Sequence, residues 1–219
     1  MTELARLPYD AACGAEIDDT TSDSVNESVG GISGRLSNRH ATIREFHLTI
    51  GPDDSAEVRA LYRTHRQRWP VAVRDWSNYI YTDEPQTWIE DTSFANVELR
   101  RKIMPATGSR FLYERILVPD EAEVETVIKI NGTPLLRSDW SFADVALGPG
   151  VAQIPIMHVG TGASITASGR YLVAAAFKVG GSLTSKVYRD GLVGIPTVLL
   201  REILETELVS MMNQADDSE

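Results

Sequence analysis

The residues to weigh first are His40, His47, His65 and His158, together with the single cysteine, Cys13. A zinc site draws on closely spaced cysteines and histidines, and these are scattered along the chain. His40 and His47 are separated by an odd number of positions, which puts them on opposite faces of any continuous strand. His65 falls on the apolar stripe of an expected helix, where a core histidine is the ordinary reading. Cys13 has no mate for an intramolecular disulfide, so folding does not call on an oxidising compartment. Nucleophilic catalysis needs a serine or cysteine on a strained turn beside a base. No Gly-x-Ser-x-Gly occurs, and Gly181-Ser182 has no recognisable partner. Asp83-Glu84 and Glu90-Asp91 are acidic pairs of the type a glycosidase uses, although such pairs in turns are mostly solvated. Gly160-Thr161-Gly162-Ala163-Ser164 lacks the lysine of a phosphate-cradling loop. The expectation is therefore no catalytic residue, no metal and no cofactor.

One constellation stands out against an acidic background. Arg59, Arg63 and Arg66 are spaced i, i+4 and i+7, a basic stripe on the face of a helix away from its core, and Arg68 and Arg74 follow. The plain reading is a solvated helix face with local salt bridges. The functional reading makes Arg59, Arg63, Arg66 and Arg74 contacts to an acidic surface of a neighbouring subunit. A formal net charge of -10 supplies that complementarity within a homo-oligomer. The same charge opposes a dedicated nucleic-acid surface.

The elements that must position these arginines follow from periodicity. Phe46, Leu48 and Ile50 alternate with Glu45, His47 and Thr49, the pattern of a strand with one buried face. Gly51-Pro52 stops it, and Asp54 with Glu57 forms a capping-box signature. Val58, Leu61, Tyr62, His65 and Trp69 recur at helical spacing, so a helix is predicted over 54–69, ended by Pro70. Val71–Tyr81 is aromatic and β-branched strand material. Val124, Thr126, Ile128 and Ile130 share a strand face, and Asn131-Gly132 supplies the positive-φ pair of a tight hairpin. Trp140 and Phe142 share a face, and Tyr171 onward is a further buried strand. Val145–Gly169 is free of charge, but its glycines and prolines break any spanning helix.

Residues 1–41 form an amino-terminal segment, with 10–31 predicted as an acidic loop or docking arm. Residues 42–195 are a β-rich core domain. Residues 196–219 are predicted as a helix entered at Pro196, lined by Leu199, Ile203, Leu204 and Leu208, with a loose polar tail. The fold class expected is mainly β (α+β), an antiparallel β-sandwich-type domain with one helix packed on it and a C-terminal helix. The start lacks the basic-then-apolar run of a signal peptide, which points to folding in the cytoplasm.

The run from Ile43 through Tyr81 resembles the distal tail proteins of siphophages and gene transfer agents. The features that carry the resemblance are Phe46-His47-Leu48, the arginine-rich Leu61–Trp69, and Arg74-Asp75-Trp76-Ser77-Asn78-Tyr79. Val127-Ile128-Lys129-Ile130-Asn131-Gly132 and Gly169-Arg170-Tyr171-Leu172-Val173 are similar to later strands of that family, in the same order. The likeness covers about residues 40–80 and 110–178 and has no catalytic motif. It implies a structural virion protein, an adaptor whose ring, usually hexameric, links the tail tube to the hub and tail-tip proteins. DNA would only pass through its lumen, and no membrane would be involved. Two other functions stay open on the residues themselves. One is a carbohydrate-binding module using Trp69, Trp76, Trp88 or Trp140, and the other is a cell-wall hydrolase using the acidic pairs.

Overall fold

The computed structural model describes residues 4–8, 15–20, 23–27, 33–37, 43–65, 69–75, 79–103, 112–122, 124–143, 149–178, 183, 186–187 and 193–216. Its first strands are β1 (Ala5–Arg6), β2 (Ala15–Thr20), β3 (Asp23–Glu27), β4 (Ser33–Ser37) and β5 (Ile43–Ile50). Helix α1 (Ser55–His65) leads to β6 (Val71–Val73), β7 (Ile80–Pro85), β8 (Thr87–Glu90), β9 (Phe94–Glu98), β10 (Arg100–Ile103) and β11 (Leu112–Arg115). Short strands β12 (Val118–Pro119), β13 (Val127–Ile130), β14 (Thr133–Pro134) and β15 (Ser141–Phe142) precede β16 (Val151–Pro155) and the long β17 (Ile165–Phe177). The chain closes with β18 (Lys186–Val187), β19 (Val193–Glu202) and α2 (Glu205–Asp216). This is the mainly-β, sandwich-like α+β class expected from the alternating patterns.

The chain divides into two compact units. One joins Met1–Arg6, Ala72–Ala174 and Glu205–Glu219, and the other joins Leu7–Val71 and Ala175–Leu204. In the second unit β5 is the central strand, with β2 antiparallel on one side and β19 on the other. Phe46, Leu48 and Ile50 are buried, as their alternation predicts. Ala175–Phe177 of β17 pairs with Leu200–Glu202 of β19. Val58 of α1 is buried, and Tyr62 meets Phe177 edge-on with ring centroids 5.1 Å apart. The Ser55 hydroxyl donates to the Pro52 carbonyl at 2.9 Å, so the turn that stops β5 also starts the helix.

Two sequence expectations are corrected here. Residues 15–20 and 23–27 are strands within the predicted acidic loop; β2 pairs along β5, and β3 pairs with β4. For β2, backbone pairing with the buried apolar β5 outweighs polar composition. Residues 196–202 are strand, not helix, and the final helix begins only at Glu205. Val198 and Leu200 are buried and Thr197 exposed, a period of two that pairing with β5 fixes. Pro196 lies within a register shift between Ile195 and Val198, one of the places where a paired strand accepts proline. Helix α1 is described over Ser55–His65; residues 66–68 lie outside the described residues, and the Trp69 N–H donates to the His65 carbonyl at 3.2 Å.

In the first unit β7, β12 and β13 pair antiparallel along β17. Asn131 (φ 51°) and Gly132 (φ 83°) make the predicted two-residue turn between β13 and β14. A second sheet runs β15-β16-β9-β8. Its inner face carries Ala95, Val97, Ala152 and Ile154, all fully buried. Gly150 (φ 74°) lies so close to the Ile116 carbonyl that a Cβ there would overlap it, while its own carbonyl accepts from the Leu99 N–H at 3.1 Å. Trp140 and Phe142 meet edge-on at 5.1 Å, as the shared face predicts.

Candidate interaction site on the first helix

Two of the four arginines proposed as subunit contacts share one face of α1. Ser55, Ala56, Arg59, Ala60 and Arg63 line a surface groove of about 350 Å³. Arg63 is exposed, whereas Arg59 is half-buried. The Nε and Nη2 atoms of Arg59 are shielded from solvent and have no hydrogen-bond partner among the described residues. Arg66 and Arg68 lie outside the described residues.

Arg74 is not part of this face. It belongs to the first unit, where its side chain is 11% exposed and Nη2 lies 3.4 Å from Oδ2 of the fully buried Asp120. Arg6 reaches the other carboxylate oxygen at 2.8 Å. The Tyr79 ring lies 5.0 Å from the Arg74 guanidinium and 5.5 Å from that of Arg170. The residues just before Arg74, Val71–Val73, are wholly buried, and the chain carries its guanidinium inward to a buried anion. Arg74 is therefore corrected from a surface cation to an internal partner of Asp120.

The second unit has an internal pair that the sequence did not disclose. Arg44 Nε donates to Glu202 Oε2 at 3.0 Å and Nη2 to Oε1 at 2.6 Å. The Arg44 backbone N–H adds a third bond, to Oε2, at 2.9 Å. This is a bidentate fork on one guanidinium edge. The partners are 158 residues apart, so only the pairing of β5 with β19 joins them.

The acidic pairs are poorly placed for acid–base work. Asp83 (φ 48°) accepts from Lys129 Nζ at 2.6 Å and from the Ser168 hydroxyl at 3.2 Å. The Lys129 hydrogen bond holds its carboxyl below the usual carboxylate range, the wrong direction for a general acid. Asp91 accepts from the Thr92 N–H and hydroxyl at 2.6 and 3.0 Å, shaping its own turn. Among the described residues no group of histidine, cysteine and carboxylate is arranged to hold a metal. Nor is any helix among them long and apolar enough to cross a membrane. Cys13, His40, Gly181 and Ser182 lie outside the described residues.

Of the tryptophans considered for sugar stacking, Trp140 is buried, with the Arg137 guanidinium 4.1 Å from its ring. Trp69 and Trp88 are half-buried, and Trp88 sits opposite Val97 on the inner side of its sheet. Trp76 lies outside the described residues. In the first unit the Tyr81 hydroxyl is buried against Gly169 and the Thr126 side chain, where burial pushes the phenol up to about 12.

Compared with known proteins, the chain matches no protein-family model and no curated sequence.

Proposed function

We propose that the chain is a structural adaptor subunit of a phage-type tail tip, assembling with copies of itself into a ring, hexameric in the first instance. The ring would connect a tail tube to hub and tail-tip proteins and let DNA pass without holding it. The observation that carries this reading is the cationic face of α1 on an otherwise acidic chain: Arg59 and Arg63 offer charge that an acidic neighbour can meet. Further support comes from the segments on which the resemblance rests. Phe46-His47-Leu48 lies on β5, Leu61–His65 on α1, Val127–Gly132 on β13 and its turn, and Gly169–Val173 on β17. They are structural pieces of strand, helix and hairpin, which suits an adaptor. Unpaired strand edges and a helix face are the surfaces from which antiparallel proteins build rings.

The test is mass measurement by light scattering together with negative-stain imaging at high protein concentration. A closed ring of six copies is the expected result. A particle that stays monomeric at every concentration overturns the reading.

A further inference from the structure

We infer that Asn131 is a site of intramolecular deamidation, attacked by the Gly132 backbone nitrogen, and that the turn between β13 and β14 holds the reaction shut until it opens. The inference is independent of the ring. Asparagine before glycine is the pair least hindered for this chemistry, because glycine has no side chain to crowd its own nitrogen. Both residues are exposed, and the space where a Cβ of Gly132 would stand is empty. Water and hydroxide therefore reach the reacting atoms. Hydroxide takes the Gly132 amide proton, the nitrogen bonds to Asn131 Cγ, and the side-chain nitrogen leaves as ammonia with a proton from water. Water then opens the succinimide ring at either carbonyl, giving aspartate or isoaspartate.

The backbone restrains the first step. With φ values of 51° and 83°, Asn131 and Gly132 form a type I′ turn, which sets ψ of Asn131 at roughly +30°. At that angle the Gly132 nitrogen points away from Asn131 Cβ, whereas ring closure needs the two nearly eclipsed, a rotation of roughly 150°. The side chain is held as well. The Ser164 N–H donates to Asn131 Oδ1 at 2.9 Å, and the Asn131 N–H donates to the Ser164 carbonyl at 2.8 Å. The side-chain carbonyl thus extends the β13–β17 ladder beyond the Ile130–Ile165 pair, in the place a backbone carbonyl would fill. Cyclisation must break that bond and free the neighbouring Ile130–Thr133 pair. Only chains whose hairpin has opened can react. Aspartate at 131 restores an acceptor for the Ser164 N–H, but isoaspartate lengthens the main chain by one atom and cannot rebuild the turn. Isoaspartate is therefore a lasting chemical mark of chains in which this hairpin has opened.

The test incubates the full chain folded and in guanidinium chloride, at the same pH and temperature, before digestion with trypsin. The peptide Ile130–Arg137, whose one asparagine is Asn131, is followed by mass and by chromatography. The folded chain should react at least about tenfold more slowly than the unfolded one, with isoaspartate in the product. Ser164→Pro, which removes the N–H and leaves the carbonyl, should speed the folded reaction at least about threefold. Hydrogen exchange at the Ser164 amide of the wild type carries the test should that variant fail to fold: its protection should be matched by the slowing of deamidation. Equal rates folded and unfolded, or an unfolded chain that stays unmodified, overturn the inference. So does a protected Ser164 amide beside unhindered deamidation, or a folded Ser164→Pro chain that reacts no faster than the wild type.

Discussion

Arg74 and Arg59 are 15 positions apart in the sequence and were equivalent as members of one basic run, yet the two units treat them in opposite ways. In the first unit Arg74 and Arg6 converge on one buried carboxylate, Asp120. In the second, the Nε and Nη2 atoms of Arg59 are shielded from solvent and meet no acceptor among the described residues. The difference teaches that the charge of a residue says little about its role until its acceptor is known. A buried cation with its anion in place is architecture.

The largest effect expected from breaking this comparison is at Asp120. Asp120→Ala leaves two arginines facing an empty site and should cost about 3–5 kcal/mol of stability in urea unfolding. A loss under about 1 kcal/mol would mean that water reaches the site easily. Tyr81 offers a buried polar group that, unlike arginine, can stay neutral. Its folded value lies above the unfolded one near 10, so its contribution is complete below pH 10 and is lost as pH rises toward 12. Stability should fall by about 2 kcal/mol over that window, a fall that Tyr81→Phe should remove. Glu202→Gln, which blunts the Arg44 fork, should cost about 2 kcal/mol. Gly169→Ala drives a Cβ to 2.8 Å from the Tyr81 hydroxyl and should cost about 1–2 kcal/mol, read by the urea midpoint. Arg59→Met sits at the bottom of the scale. It removes a half-buried charge with no acceptor among the described residues, so stability should change by less than about 0.5 kcal/mol or rise. A loss as large as that of Glu202→Gln would show that Arg59 already has its partner within the chain.

Local chemistry was the legible part of the sequence. Phe46, Leu48 and Ile50 announce a buried face by alternation alone, and Asn131-Gly132 announces its turn because few other pairs accept positive φ twice. The start of α1 was equally plain from Gly51-Pro52 and the residues after it. What stayed hidden depends on partners far along the chain. Leu199, Ile203 and Leu204 fit a helical stripe in isolation, and only the neighbouring β5 and β17 make Val193–Glu202 a strand. β2 is too polar to reveal itself, since what recruits it is the side of β5. The candidate site was half legible: Arg59 and Arg63 share a helix face by spacing, but the shielding of one guanidinium edge depends on packing. Arg74 looked the same in sequence and went inward because Asp120, 46 residues later, lies there.

The pairing of β5 with β19 has a consequence for how the chain is made. Phe46, Leu48 and Ile50 emerge from the ribosome about 150 residues before the strand that completes their sheet. At about 5–20 residues per second, this apolar ridge waits about seven to thirty seconds for its mate. During that interval it is a target for chaperones and for neighbouring nascent chains, so translation speed between Ile50 and Val193 should govern how much of the product is recovered intact.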